Sequence, residues 1–263
     1  MVQDRDNAAF GWSPGQYLKF AAPRLRPALE LLARIDLDAP KSLCDLGCGP
    51  GNVTPYLKAR WPQARILGLD SSAEMLEQAA AADPLVSWQK ADIAQWSAEA
   101  PLDLIFSNAA LQWLGRHDDL FPRLLAQLAP GGVLAVQMPR NFDAPSHVGM
   151  REAALDGPWA ATLAPLLRHD PVARPENYWG ILTAAGAEVD IWECDYLQVL
   201  QGEDAVVQWT LGTALRPLLD ALEEPWRGQF LEEYRRRMAK AYPRRAGGET
   251  LFPFKRLFMV AKV

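Results

Sequence analysis

Five short apolar runs, each closed by a polar or glycine-rich turn, recur along the first half of the chain and constrain its fold more than any other feature. They lie at 42–46, 65–70, 86–91, 102–107 and 133–138. Helical periodicity fills the gaps, at 52–60, in the stretch that Ser72 opens with Glu74 in its first turn, and at 118–128 up to a stop at Pro130, Gly131 and Gly132. Strands that alternate with helices at this spacing pair in parallel through crossover helices, so the expected fold class is α/β.

Past Met138 the rhythm lapses into a polar, proline-rich stretch that reads as irregular to about 175. A helix is then expected over 176–185, ended by Gly186, and a long strand over 187–197 near a sheet edge, where apolar and polar residues alternate. Residues 204–242 are helical in pattern and a last strand is expected over 256–263. Two strands do not need so long a connection, so 203–250 reads as a helical cap inserted into the sheet domain and covering its site, joined by the helical 1–35. The α/β core is then 36–202 with 251–263.

With 49% apolar residues in 263, the chain can build one large core. The polar start and the absence of any run near 18 apolar residues predict a cytoplasmic protein with no membrane partner. Cys44, Cys48 and Cys194 are an odd number without paired metal-ligand spacing, so neither a disulfide framework nor a metal is expected. The formal net charge of −5 disfavours nucleic acid as a partner. It divides unevenly: residues 203–263 hold 11 basic and 8 acidic side chains, or +3, and residues 1–202 hold 16 and 24, or −8.

The most informative residues stand at the end of the first strand, where Asp45, Gly47, Cys48, Gly49 and Gly51 make a D-x-G-x-G-x-G loop. Glycines let the backbone turn through positive φ and let a ligand approach it, and the following helix start offers oriented N–H groups. A dinucleotide loop would place its third glycine at position 52, which is Asn52. An acid just ahead of the loop suits a cationic ligand better than a pyrophosphate, and S-adenosylmethionine fits that description. Asp70, ending the second strand, can accept both hydroxyls of a ribose, and Asp92, ending the third, can meet an adenine amino group, with Met75 placed to face the ring.

The loop, the acid at 70, the Ala91-Asp92-Ile93 run and the turn at 130–132 resemble those of class I S-adenosylmethionine-dependent methyltransferases. Within that class, the segments 12–18, 103–114, 135–141, 146–152, 189–192 and 215–217 resemble the trans-aconitate methyltransferase family. The resemblance spans nearly the whole chain. It implies a doubly wound, mainly parallel seven-stranded Rossmann-like sheet with one reversed strand, and S-adenosylmethionine as cofactor. By motif it also implies that Asp45, Gly47, Cys48, Gly49 and Gly51 cradle the methionine portion, Asp70 with Ser71 the ribose, and Asp92 and Ile93 the adenine. Asn108 would stand beside the sulfonium. The implied reaction is monoesterification of a polycarboxylate, trans-aconitate.

A carboxylate is already ionised at neutral pH, so transfer to it needs positioning by groups such as Asn108 and Trp113 rather than a base. Its remaining carboxylates require donors. Arg216, in an apolar setting, and Arg256, at the last strand, are candidates, with His147 as a further donor and Tyr17 and Trp113 as walls. Arg235, Arg236 and Arg237 read as a solvated helix face. Another small acid, an amine or a hydroxyl as the methyl acceptor, or a non-catalytic sensor of the same ligand, remain alternatives on these residues. Ser107-Asn108 followed by Ala109-Ala110 lacks the proline-aromatic continuation expected of nucleic-acid amino-methyltransferases.

Overall fold

The computed structural model describes residues 21–263; Tyr17, the proposed pocket wall, lies outside them. Chain contacts divide the described residues into a sheet unit of residues 22–140, 171–195 and 255–263, and a helical unit of residues 141–170 and 196–254.

In the sheet unit, strands β1 (Ser42–Leu46), β2 (Arg65–Asp70), β3 (Ser87–Lys90), β4 (Leu102–Asn108) and β5 (Leu128–Pro139) run parallel in the order β3-β2-β1-β4-β5. Beyond β5 the seven-stranded sheet continues with β7 (Glu249–Lys262), antiparallel to β5, and then β6 (Glu188–Gln201) at the edge. Strand order reverses between β1 and β4, the place where ligands bind in doubly wound sheets. Both faces are covered, so Leu43, Leu46, Leu69, Leu104, Ile105, Phe106 and Val136 are all buried.

The connections are helices α1 (Ala21–Ala33), ahead of β1, α2 (Thr54–Arg60), α3 (Ala73–Ala82), α4 (His117–Leu125) and, before β6, α7 (Pro175–Ala184). Ser72 caps α3 by accepting the Met75 N–H, as its position in the sequence indicated. Residues 22–35, expected with the cap, belong to the sheet unit instead. Ala28, Leu31, Leu32 and Ile35 are buried there, and the Arg60 guanidinium donates to the carbonyls of Leu32 and Ile35.

The helical unit holds α5 (Pro145–Leu155), the short α6 (Ala160–Leu163), α8 (Ala205–Leu211), α9 (Arg216–Asp220) and α10 (Trp226–Ala241). Its core is aromatic, with Trp159 edge-on to Phe230 at 5.8 Å and Trp209 edge-on to Phe252 at 5.9 Å. The stretch expected to be irregular after Met138 contains α5, which buries Ser146, Gly149, Met150, Ala153 and Ala154 at i, i+3, i+4, i+7 and i+8. Small residues form that stripe, so it carries little apolar contrast in sequence. A Cβ at Gly149 would stand 2.8 Å from the Met238 methyl, which marks how closely α5 meets α10.

Four other boundaries move. Helix α4 ends at Leu125, before the glycine stop, and β5 begins at Leu128 with a register shift opposite Leu102 and Leu104. β7 starts at Glu249 and β6 runs on to Gln201. Arg237 departs from the solvated-face expectation: only 19% exposed, it pairs with Glu152, Asp156 and Glu233 and ties α10 to α5. Among the described residues no helix is long and apolar enough to cross a membrane.

Candidate active site

Asp45 stands one residue before the end of β1, opposite Gly68 of β2 and Phe106 of β4. Its side chain is buried and accepts the Thr54 hydroxyl at 2.6 Å. Burial pushes its carboxyl up to about 6; the Thr54 hydrogen bond works against that shift and the nearby Asp70 charge adds to it. Such a carboxylate, which pairs with no cation among the described residues, gains from one. Thr54 is a site residue the sequence reading missed, and its signal was only a hydroxyl opening the helix after the loop.

The loop that follows is tied to β2. Gly47 and Cys48 donate to the Leu69 carbonyl at 2.7 and 3.0 Å, and Gly49 donates to Asp70 Oδ2 at 2.9 Å. These N–H groups are therefore engaged by β2 rather than offered freely from the helix start, and α2 itself is only seven residues long. Two glycines are required for different reasons. A Cβ on Gly47 would come within 2.2 Å of the Ala110 methyl, whereas Gly49, at φ +56°, would direct a Cβ into open space. The loop thus packs against the turn after β4 at one point and leaves a cradle at another. Burial raises the Cys48 thiol far above its usual range, so it is a neutral wall.

Asp70 accepts Gly49 N–H on one oxygen and Ser72 N–H on the other, 2.9 Å each. Each oxygen keeps a lone pair for a further donor. Ser71 beside it is exposed and Met75 is buried. Asp92 follows β3 and folds back to accept the Ala94 N–H at 2.9 Å, and the Ile93 carbonyl is held by Arg123 of α4 at 2.7 Å. Arg123 is a second support that the sequence did not reveal.

At the end of β4, the Ser107 hydroxyl donates to the Leu46 carbonyl at 2.8 Å and joins this strand end to the glycine loop. Next to it, Asn108 Oδ1 is buried without a hydrogen-bond partner among the described residues. Ala109 then takes φ +55°, a left-handed turn costly for a residue with a Cβ, and its N–H donates to the Gln137 carbonyl at 2.8 Å. Trp113 lies half-buried in the 3-10 turn that follows. The open face at Gly49, the cation-seeking Asp45, the part-used Asp70 and the unpartnered Asn108 oxygen fit a ligand with a positive centre, vicinal hydroxyls and donor groups.

The structure brings Asp45, Gly47, Cys48, Gly49, Gly51, Asp70 and Asn108 together around β1, β2 and β4, with Asp92 and Ile93 at the end of β3. Arg256 also belongs to this unit: it lies opposite Pro139 on β5, is 4% exposed and donates to Gln137 Oε1 at 3.2 Å. His147 and Arg216 belong to the helical unit. Burial, with Arg151 nearby and against the pull of Asp143, lowers His147 to about 4, so it is neutral at physiological pH. Arg216 spans an i,i+4 pair with Asp220 at 3.4 Å.

A family profile described as a methyltransferase domain matches residues 43–132, the span from β1 into β5. A trans-aconitate 2-methyltransferase of Azoarcus sp. (strain BH72) is 50% identical over 250 residues, covering 95% of this chain and 98% of that protein. The trans-aconitate 2-methyltransferase of Streptomyces coelicolor is 52% identical over 262 residues, covering 95% and 86%. Among solved structures, Haemonchus contortus phosphoethanolamine N-methyltransferase 2 with S-adenosylhomocysteine superposes with a TM-score of 0.54 at 15% identity. That match covers 90% of this chain and 52% of the other, and shows a shared fold only. Half of all positions shared along nearly the full length, on a class I methyltransferase sheet, place this chain in the trans-aconitate 2-methyltransferase family.

Proposed function

We propose that the chain transfers the methyl group of S-adenosylmethionine to a carboxylate of trans-aconitate, giving the monomethyl ester. The name shared by the relatives supports the substrate. The observation that carries the reaction type is that the strand end beside the glycine loop presents an amide, Asn108, rather than a proton acceptor. Amine or phenol methylation loses a proton and gains from a positioned base, whereas an ionised carboxylate has none to lose.

S-adenosylmethionine, when bound, supplies an electrophilic methyl group on a positively charged sulfur. Asp45 is the proposed partner of the ammonium end through the loop of Gly47, Cys48, Gly49 and Gly51. Asp70 and Ser71 are proposed for the ribose, and Asp92, Ile93 and Met75 for the adenine. Asn108, with Trp113, orients the reacting groups. Sulfonium and carboxylate charges cancel as the methyl moves, so a dry site favours the transition state over the separated ions. Tyr17, Trp113, His147, Arg216 and Arg256 are the proposed contacts of the acid, the arginines pairing with the carboxylates that do not react.

The test is methyl transfer from labelled S-adenosylmethionine to a panel of di- and tricarboxylates, read as base-labile radioactivity. Preferred turnover of trans-aconitate is expected. Labelling that resists base, or appears only on amines, would overturn the carboxyl reading.

A further inference from the structure

Gln137 occupies a position that no reading so far assigns. It is fully buried near the carboxyl end of β5, with Asn108 of β4 and Phe258 of β7 as its register neighbours. Its Oε1 accepts Arg256 Nη1 at 3.2 Å, and its Nε2 has no hydrogen-bond partner among the described residues.

That amide cannot reduce its cost by flipping. A guanidinium only donates, so Oε1 must face Arg256 and Nε2 is left as a buried, unused donor. A buried donor in this condition is destabilising in itself. Because Oε1 and Nε2 share one carbon, the unused N–H lies within roughly 5 Å of Nη1, a span that one carboxylate bridges with its two oxygens.

We propose that Gln137 is a specificity-determining residue for the acid substrate: it fixes the Arg256 guanidinium midway along β7 and adds its own Nε2–H as a second donor to the same carboxylate. The inference rests on the carboxyl methyltransferase reading above. It explains why a polar side chain stays in the fully buried centre of the sheet, where its neighbours Val136 and Met138 are apolar and buried.

Gln137→Glu and Gln137→Met test it in the full-length protein. Glutamate turns the donor into a second acceptor and neutralises Arg256, whereas methionine keeps the volume and removes both hydrogen-bonding roles. KM for trans-aconitate and its affinity by calorimetry are expected to weaken at least tenfold in Gln137→Glu and severalfold in Gln137→Met. The Kd for S-adenosylmethionine should stay within twofold in both variants. Unchanged acid affinity in a folded variant, or equal losses for both ligands, would overturn the role of Gln137 while leaving the function standing. If Gln137→Glu fails to fold, the methionine variant decides alone. A wild-type protein that binds S-adenosylmethionine but no tricarboxylate would overturn both.

Discussion

Asp45 sets function against stability at a single residue. The folded chain holds its proton at about 6, against 3.8 ordinarily, so ionisation works against folding. The folded state binds more protons than the unfolded state between those values, and stability therefore falls as pH rises from about 4 to 6 and is level above. Two pKa units correspond to about 3 kcal/mol, an upper bound once the chain relaxes. Asp45→Asn should raise the melting temperature of the ligand-free protein at pH 7.5, lose that gain near pH 4, and weaken S-adenosylmethionine binding at least tenfold. A gain independent of pH would show that Asp45 does not titrate in this range. The two glycines separate in the same way. Gly47→Ala meets Ala110 and should lose several kcal/mol of stability, whereas Gly49→Ala should cost about 1 kcal/mol for its positive φ yet lose cofactor affinity. Chemical denaturation and calorimetry on the pair read the two effects independently.

Individual elements owe their positions to a few long-range polar ties. Helix α4 is held at one end by His117, which meets the Tyr178 hydroxyl of α7 at 2.6 Å and the Leu111 carbonyl at 3.0 Å. Arg123, further along, fixes the Ile93 carbonyl that follows β3. In the helical unit, α10 is fastened to α5 by Arg237 and its three carboxylates, all partly solvated. Arg237→Met should cost about 1–2 kcal/mol, because a shared network exceeds an isolated surface pair. The loss should shrink at 0.5 M salt, where such pairs are screened. A melting-temperature difference equal at low and high salt would assign the effect to packing instead. The solvated reading of 235–237 missed this because a run of three arginines looks alike in sequence, while α10 offers each a different environment.

For the molecule as a whole, the pH dependence of turnover follows from which groups ionise. His147 is lowered to about 4, and a carboxylate acceptor needs no base, so kcat should be flat between pH 6.5 and 9. Below about 6 the KM for S-adenosylmethionine should rise as Asp45 takes up a proton and loses its attraction for a cation. A kcat that falls with a pKa near 7 would point to a base and away from carboxyl transfer. The measurement is a pair of pH profiles, one at saturating and one at limiting S-adenosylmethionine.

Local chemistry in the chain determined the alternating β and α elements, the strand ends at Leu46 and Asp70, the Ser72 cap and the acid-glycine loop. Those features depend on the periodicity of side chains and on residues a few positions apart, which sequence displays directly. Tertiary structure alone decided that 22–35 joins the sheet unit and that the small-residue stripe of α5 is a packing face. It also decided that Gly47 meets Ala110, Thr54 steadies Asp45, and Gln137 faces Arg256 from 119 residues away. Partners so distant share no pattern along the chain. Their contact energies exist only once the sheet has paired its strands in register and excluded water from the groups between them.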